Sequence, residues 1–189
     1  MFSRYIHTAF VAALVAFCVD TANAAPITLT YSGVATGSLG ETPFSGVPFA
    51  FTFVTDTTLL STPLFSATYP AQSNIALTVG ATSTTFGGST SPFLGPTAVT
   101  GLTDASSAFL VYGASNFAGY DFASNFFSAN TTVELLDITN RPTGAGNLTI
   151  TGITRPQFVS VVTVVPEAGT FALIGLGFAV CALTRRRAR

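Results

Sequence analysis

Residues 49–55 read Phe-Ala-Phe-Thr-Phe-Val-Thr, and this alternation puts Phe49, Phe51 and Phe53 on one face of an extended chain. Residues 27–31 alternate in the same way. Residues 75–79 and 82–86 form a second pair of candidate strands, with Gly80 between them as a turn. Residues 108–112, 147–153 and 158–164 complete the strand set. The candidates recur at short spacing and are punctuated by Gly, Pro, Asn and Asp. That rhythm predicts an all-β protein, a single antiparallel β-sandwich of jelly-roll-like kind, rather than a βαβ fold. Residues 121–136 are the one helix candidate, on poor periodicity. Gly87-Gly88 and Gly144-Ala145-Gly146 read as turns, since no Lys follows either pair to complete a phosphate cradle.

The two ends break this rhythm. Residues 9–19 are an apolar run of 11, preceded by Arg4 and followed by Ala22-Asn23-Ala24. These are the three parts of a secretory signal peptide, too short to span a bilayer. Cleavage is expected after Ala24, by signal peptidase, following export through the general secretion machinery, since no twin-arginine pair is present. At the other end, residues 168–184 carry no charge. Those 17 residues would span about 25 Å as a helix, somewhat short of a bilayer core of about 30 Å, a mismatch that thinning and snorkelling absorb. Pro166 suits the first helical position, Glu167 the positive end of the helix dipole, and Arg185, Arg186, Arg187 and Arg189 the negative end. The same arginines place the C-terminus in the cytoplasm. The chain therefore divides into a signal peptide (1–24), a β-sandwich body (25–164) and a tail with a transmembrane helix and basic stop (165–189), held at least transiently in the inner membrane.

The tail resembles the PEP-CTERM sorting signal of Gram-negative bacteria: Val165, Pro166 and Glu167 as the motif, an apolar segment, then the arginine cluster. Ala168 stands where that motif has its second proline. The resemblance implies an exosortase-like membrane protease as partner, and a setting of exopolysaccharide and biofilm production. A plain membrane anchor is the competing reading of the same residues. Residues 35–46, with the Phe-rich strand and Asp56-Thr57 after them, are similar to the start of many Ser/Thr-rich bodies that carry such tails; this adds no activity.

Composition narrows the chemistry of the body. Residues 26–165 hold 26 Thr and 15 Ser, and 13 of the 18 Phe, enough to build a core. Cys18 and His7 fall in the signal and Cys181 in the tail, so the body has no disulfide framework. It also has no Lys. Nucleophilic triads lose their usual base, and zinc and copper sites their favoured ligands. No cofactor is expected. Its six acids (Glu41, Asp56, Asp104, Asp121, Glu134, Asp137) face two arginines, Arg141 and Arg155, which gives no patch for nucleic acid. Glu134 with Asp137 is the carboxylate pair nearest in sequence for hydrolysis, against solvated surface charges as the ordinary reading. Asp56, Asp104 and Asp121 are oxygen donors of the kind calcium takes, without dense spacing. Asn130 and Asn147 head glycosylation sequons, and the many hydroxyls are candidate O-glycan acceptors. Tyr31, Tyr69, Tyr112 and Tyr120 either stack on sugars or pack in the core. The reading that results is a non-enzymatic surface or matrix protein. A carbohydrate-binding module is the first alternative and a carboxylate-based hydrolase the second.

Overall fold

The computed structural model describes residues 25–56, 67–68, 75–95, 97–104, 107–120, 122, 124–129 and 131–163. They fold as antiparallel strands: β1 (Pro26–Leu39), β2 (Thr42–Asp56), β3 (Ala67–Thr68), β4 (Ile75–Val79), β5 (Thr82–Phe86), β6 (Ser91–Gly95), β7 (Val99–Thr103), β8 (Ala108–Gly113), β9 (Phe126–Ser128), β10 (Thr132–Leu136), β11 (Ile138–Thr143) and β12 (Gly146–Val162). Among the described residues, a 3₁₀ turn lies at Ser115–Phe117. The all-β, antiparallel class is that predicted by the alternation. The expected signal peptide and the apolar tail segment lie outside the described residues. Among the described residues, no helix is long and apolar enough to cross a membrane.

The first sheet runs β1-β2-β4-β5-β11-β12-β9, and β12 also pairs with β1, so the sheet returns on itself. The second runs β10-β8-β7-β6-β3. Five of these eleven strand pairings join consecutive strands, and the other six cross over. The hydrophobic face of each sheet supplies one shared core, including Leu29, Tyr31, Phe51, Leu77, Phe109, Tyr112 and Phe158. Phe49, Phe51 and Phe53 are all buried, as their period-2 spacing requires. Gly80 turns β4 into β5 and Gly40 turns β1 into β2, both at positive φ in the first position of a two-residue turn.

Three differences from the sequence reading have local causes. Residues 121–136 form no α-helix where they are described. They supply β9 and β10 instead, and a bulge between Val133 and Leu135 scrambles the alternation that would have marked β10. Candidates 147–153 and 158–164 belong, as far as Val162, to one strand, β12, which keeps pairing with β1 across an interruption at Arg155 and Pro156. Strands β6, β7 and β11 escaped notice because Pro92, Gly101 and Pro142 sit inside them.

Close backbone approach fixes Gly37. A Cβ there would lie 1.9 Å from the carbonyl oxygen of Thr149, on the neighbouring β12. Gly152, in the next pair opposite Thr36, has nothing within 4 Å of the same position. Gly37→Ala should therefore destabilise the body by about 3 kcal/mol and lower its melting midpoint by roughly 10 °C. Gly152→Ala should stay within about 0.5 kcal/mol. Thermal unfolding of the two variants side by side tests the register; equal midpoints would show that the β1–β12 pairing is wrong.

Candidate functional site

The tyrosines proposed as sugar platforms are mostly core residues. Tyr31 and Tyr112 are fully buried, with ring centroids 5.9 Å apart. The Tyr31 hydroxyl lies 2.8 Å from Thr100 Oγ1 and 3.2 Å from the Gly101 carbonyl, and Thr100 donates onward to the Phe93 carbonyl at 2.9 Å. Tyr112 donates back across the core to the Ser32 carbonyl at 3.1 Å. Tyr120 is half-buried. It stacks on Phe126 at 4.4 Å, and its hydroxyl bonds the Ser160 hydroxyl. Tyr69 lies outside the described residues. Packing, not a lectin-like groove, accounts for the three that are seen.

Among the described residues, the acids do not converge on a cleft. Glu134 is exposed on β10 and accepts a hydrogen bond from the Thr132 hydroxyl. Asp137 is exposed just beyond it, where its backbone N–H bonds the Phe109 carbonyl at 2.7 Å. Asp104 pairs with Arg141 at 2.5 Å, and that guanidinium also sits 4.8 Å over the Phe109 ring. Asp56 ends β2 opposite Pro26, and Asp121 lies outside the described residues. Among the described residues, no three His, Cys, Asp or Glu side chains gather as a metal site. Of the sequons, Asn130 lies outside the described residues. Asn147 is exposed and donates its amide to Asn140 Oδ1 at 2.9 Å. Gly88 and Gly146 take positive φ, in keeping with turns.

Among the described residues, the body carries shallow grooves. One of about 620 Å³ lies by the bulged β1–β2 hairpin and is lined by Thr36, Ser38, Pro43, Phe44, Thr149 and Thr151. Another, of about 370 Å³, crosses the outer face of the first sheet and includes Ser32, Val34, Thr78, Arg155 and Gln157. Arg155 went unmarked in the sequence beyond its charge. Its place in the groove depends on a bulge that no residue pattern announces.

The remaining candidate residues are linear: Ala22 and Ala24 at the expected cleavage point, Val165, Pro166 and Glu167, and Arg185, Arg186, Arg187 and Arg189. All lie outside the described residues. Residues 164–187 match the family model of the PEP-CTERM protein-sorting motif. The chain carries a PEP-CTERM sorting motif. The match takes in Val165, Pro166, Glu167 and the first three arginines, and tolerates Ala168; Arg189 falls beyond it. A PEP-CTERM motif implies processing by an exosortase, a membrane protein, and export to the cell surface from a membrane-anchored precursor. Comparison with curated proteins finds no match to the chain, and comparison with solved structures finds none.

Burial pushes the Tyr112 phenol well above its ordinary range. A phenol so raised stays protonated in the folded chain and ionises in the unfolded one above about pH 10. Its contribution to stability is full below that value and is lost as pH rises through and beyond it. The denaturant midpoint should fall between about pH 9 and about pH 11, and fall less in Tyr112→Phe. That variant should also lose about 1 kcal/mol at neutral pH with the Ser32 hydrogen bond. A wild-type midpoint flat across the alkaline range would refute the assignment.

Proposed function

We propose that this chain is an exported, non-enzymatic surface or extracellular-matrix protein. On this reading the signal peptide is removed after Ala24, and the precursor is held in the inner membrane by residues 168–184 and the arginine stop. An exosortase then cuts near Pro166-Glu167 and releases a β-sandwich body. The observation that carries the reading is the sorting motif over residues 164–187. It is supported by a body without His, Cys or Lys, and by described acids that lie apart or are tied to Arg141. Association with exopolysaccharide in a biofilm matrix is the role that fits such an address and a hydroxyl-rich surface. A carbohydrate-binding module is the second reading, favoured by the groove that carries Ser32, Thr78, Arg155 and Gln157.

The sorting reading is tested in the native host with one tag in the body and another after Arg189. The two tags should separate in the wild type. Glu167→Ala should leave both on an uncut, membrane-bound precursor, because the helix and its arginines are untouched. Replacing Arg185, Arg186 and Arg187 together by Ser should instead harm orientation or retention, since the charge that pins the cytoplasmic end is gone. A wild-type chain whose tags stay together in the inner membrane is merely anchored, and the proposal fails.

A further inference from the structure

We infer that the groove at Arg155 is a binding site for a singly charged oxyanion carried on a hydroxyl-rich chain, the chemistry of an acidic polysaccharide. It deepens the carbohydrate-binding reading above and rests on it.

The charge comes first. The body has two cations, Arg141 and Arg155. Arg141 is committed to Asp104 and to the Phe109 ring. Arg155 is exposed, and no ion pair holds it among the described residues. On a body with six acids it is the one outward guanidinium available to an anion. A guanidinium fork matches a planar carboxylate or a sulfate ester. With a single cation present, a singly charged group is matched and a doubly charged phosphate is not.

The backbone comes second. Arg155 has φ of 51°, although it is not glycine and precedes Pro156, which biases its predecessor toward extended geometry. It occupies extra residues of β12 between the pairs Val34↔Thr154 and Ser32↔Gln157, opposite Gly33. Holding a non-glycine residue there costs about 1–3 kcal/mol, and such strain concentrates at ligand-contacting positions. The long pairing of β12 with β1 on both sides of the bulge maintains it.

The surroundings come third. Gln157 pairs with Ser32, Ser32 with Ala50, and Ala50 with Thr78, so these four residues form one row across four strands. Their strand neighbours Tyr31, Phe49, Phe51, Leu77 and Phe158 are buried, which turns the row outward. At about 4.8 Å per strand it spans roughly 14 Å. Its polar members are an amide and two hydroxyls, with Ala50 as a low floor between them. That is neutral hydrogen-bonding capacity laid out in a line, beside one charge. It suits an extended chain of hydroxylated units better than a compact molecule.

The test uses the full chain with Arg4, Arg185, Arg186, Arg187 and Arg189 replaced by Gln, so that the flanking arginines do not themselves hold acidic probes, in a nonionic detergent, titrated calorimetrically with an oligogalacturonate, a sulfated dextran oligosaccharide and a neutral dextran oligosaccharide. At least one acidic probe should bind, weaken with added salt, and exceed the neutral probe by about tenfold or more, the size of one charge-assisted hydrogen bond. The first two arms separate a carboxylate from a sulfate source. Arg155→Gly is the decisive variant, because glycine accepts the positive φ and should leave the melting midpoint unchanged or higher while abolishing the acidic preference. Arg155→Lys keeps the charge without the fork and should bind several-fold more weakly. Equal binding of acidic and neutral probes, no binding of either acidic probe, or undiminished binding by Arg155→Gly overturns the proposal. Tail cleavage should be unaltered in Arg155→Gly, so a failure here is distinguishable from a failure of the sorting reading.

Discussion

Tyr31 joins the two sheets. Its ring packs at 4.9 Å on Phe158 and 6.1 Å on Phe53 within the first sheet, and its hydroxyl reaches Thr100 and Gly101 in the second. Thr100 is itself fully buried, and its hydroxyl is satisfied by Tyr31 and by the Phe93 carbonyl. The chain of bonds fixes the spacing of the sheets and their relative slide, because a buried hydroxyl left unpaired would cost about 1–3 kcal/mol. Gly101 belongs to the same constraint. A Cβ there would come within 2.2 Å of the Leu110 carbonyl, so the floor of β7 beneath the tyrosine has to be bare. Tyr112 returns the favour from the opposite sheet through Ser32. In a body without disulfides, these crossing hydroxyls give an apolar core its single register.

Much of this architecture could be read from the chain where alternation is undisturbed. Phe49, Phe51 and Phe53, and Ile75 with Leu77 and Val79, all turn inward as period 2 demands. Legibility failed wherever the period was interrupted. The bulge at Val133 to Leu135 hid β10, and the one at Arg155 and Pro156 split β12 into two apparent strands. Pro92 and Gly101 disguised β6 and β7, because propensity counts against them while tertiary pairing overrides propensity. The inward turn of Tyr31 and Tyr112 could not be chosen over an exposed platform from residue type alone, since a tyrosine serves either place.

The functional signals divide along the same line. The sorting motif was legible because it is linear: Pro166, Glu167 and the arginines act by order along the chain, which needs no folding to be seen. The groove at Arg155 was not, because it gathers Ser32, Thr78 and Gln157 from three strands more than a hundred residues apart in total reach. Its arginine is placed by a backbone irregularity, and sequence patterns describe regular structure.

The pairing of Ile27 with Val162, and the hydrogen bond of 2.8 Å from the Thr163 N–H to the Pro26 carbonyl, bring the first and last strands of the body side by side. The chain thus enters and leaves this domain through one doorway. A domain built so behaves as a cassette. The two ends of the body, at residues 25 and 163, lie at one edge of the first sheet. Removing residues 1–24 and 164–189 takes away none of the described strands, and lengthening or exchanging the loops at the far end of the sheets does not alter where the chain enters and leaves. Delivery and content are physically separable in such a chain, which allows one to change without consulting the other.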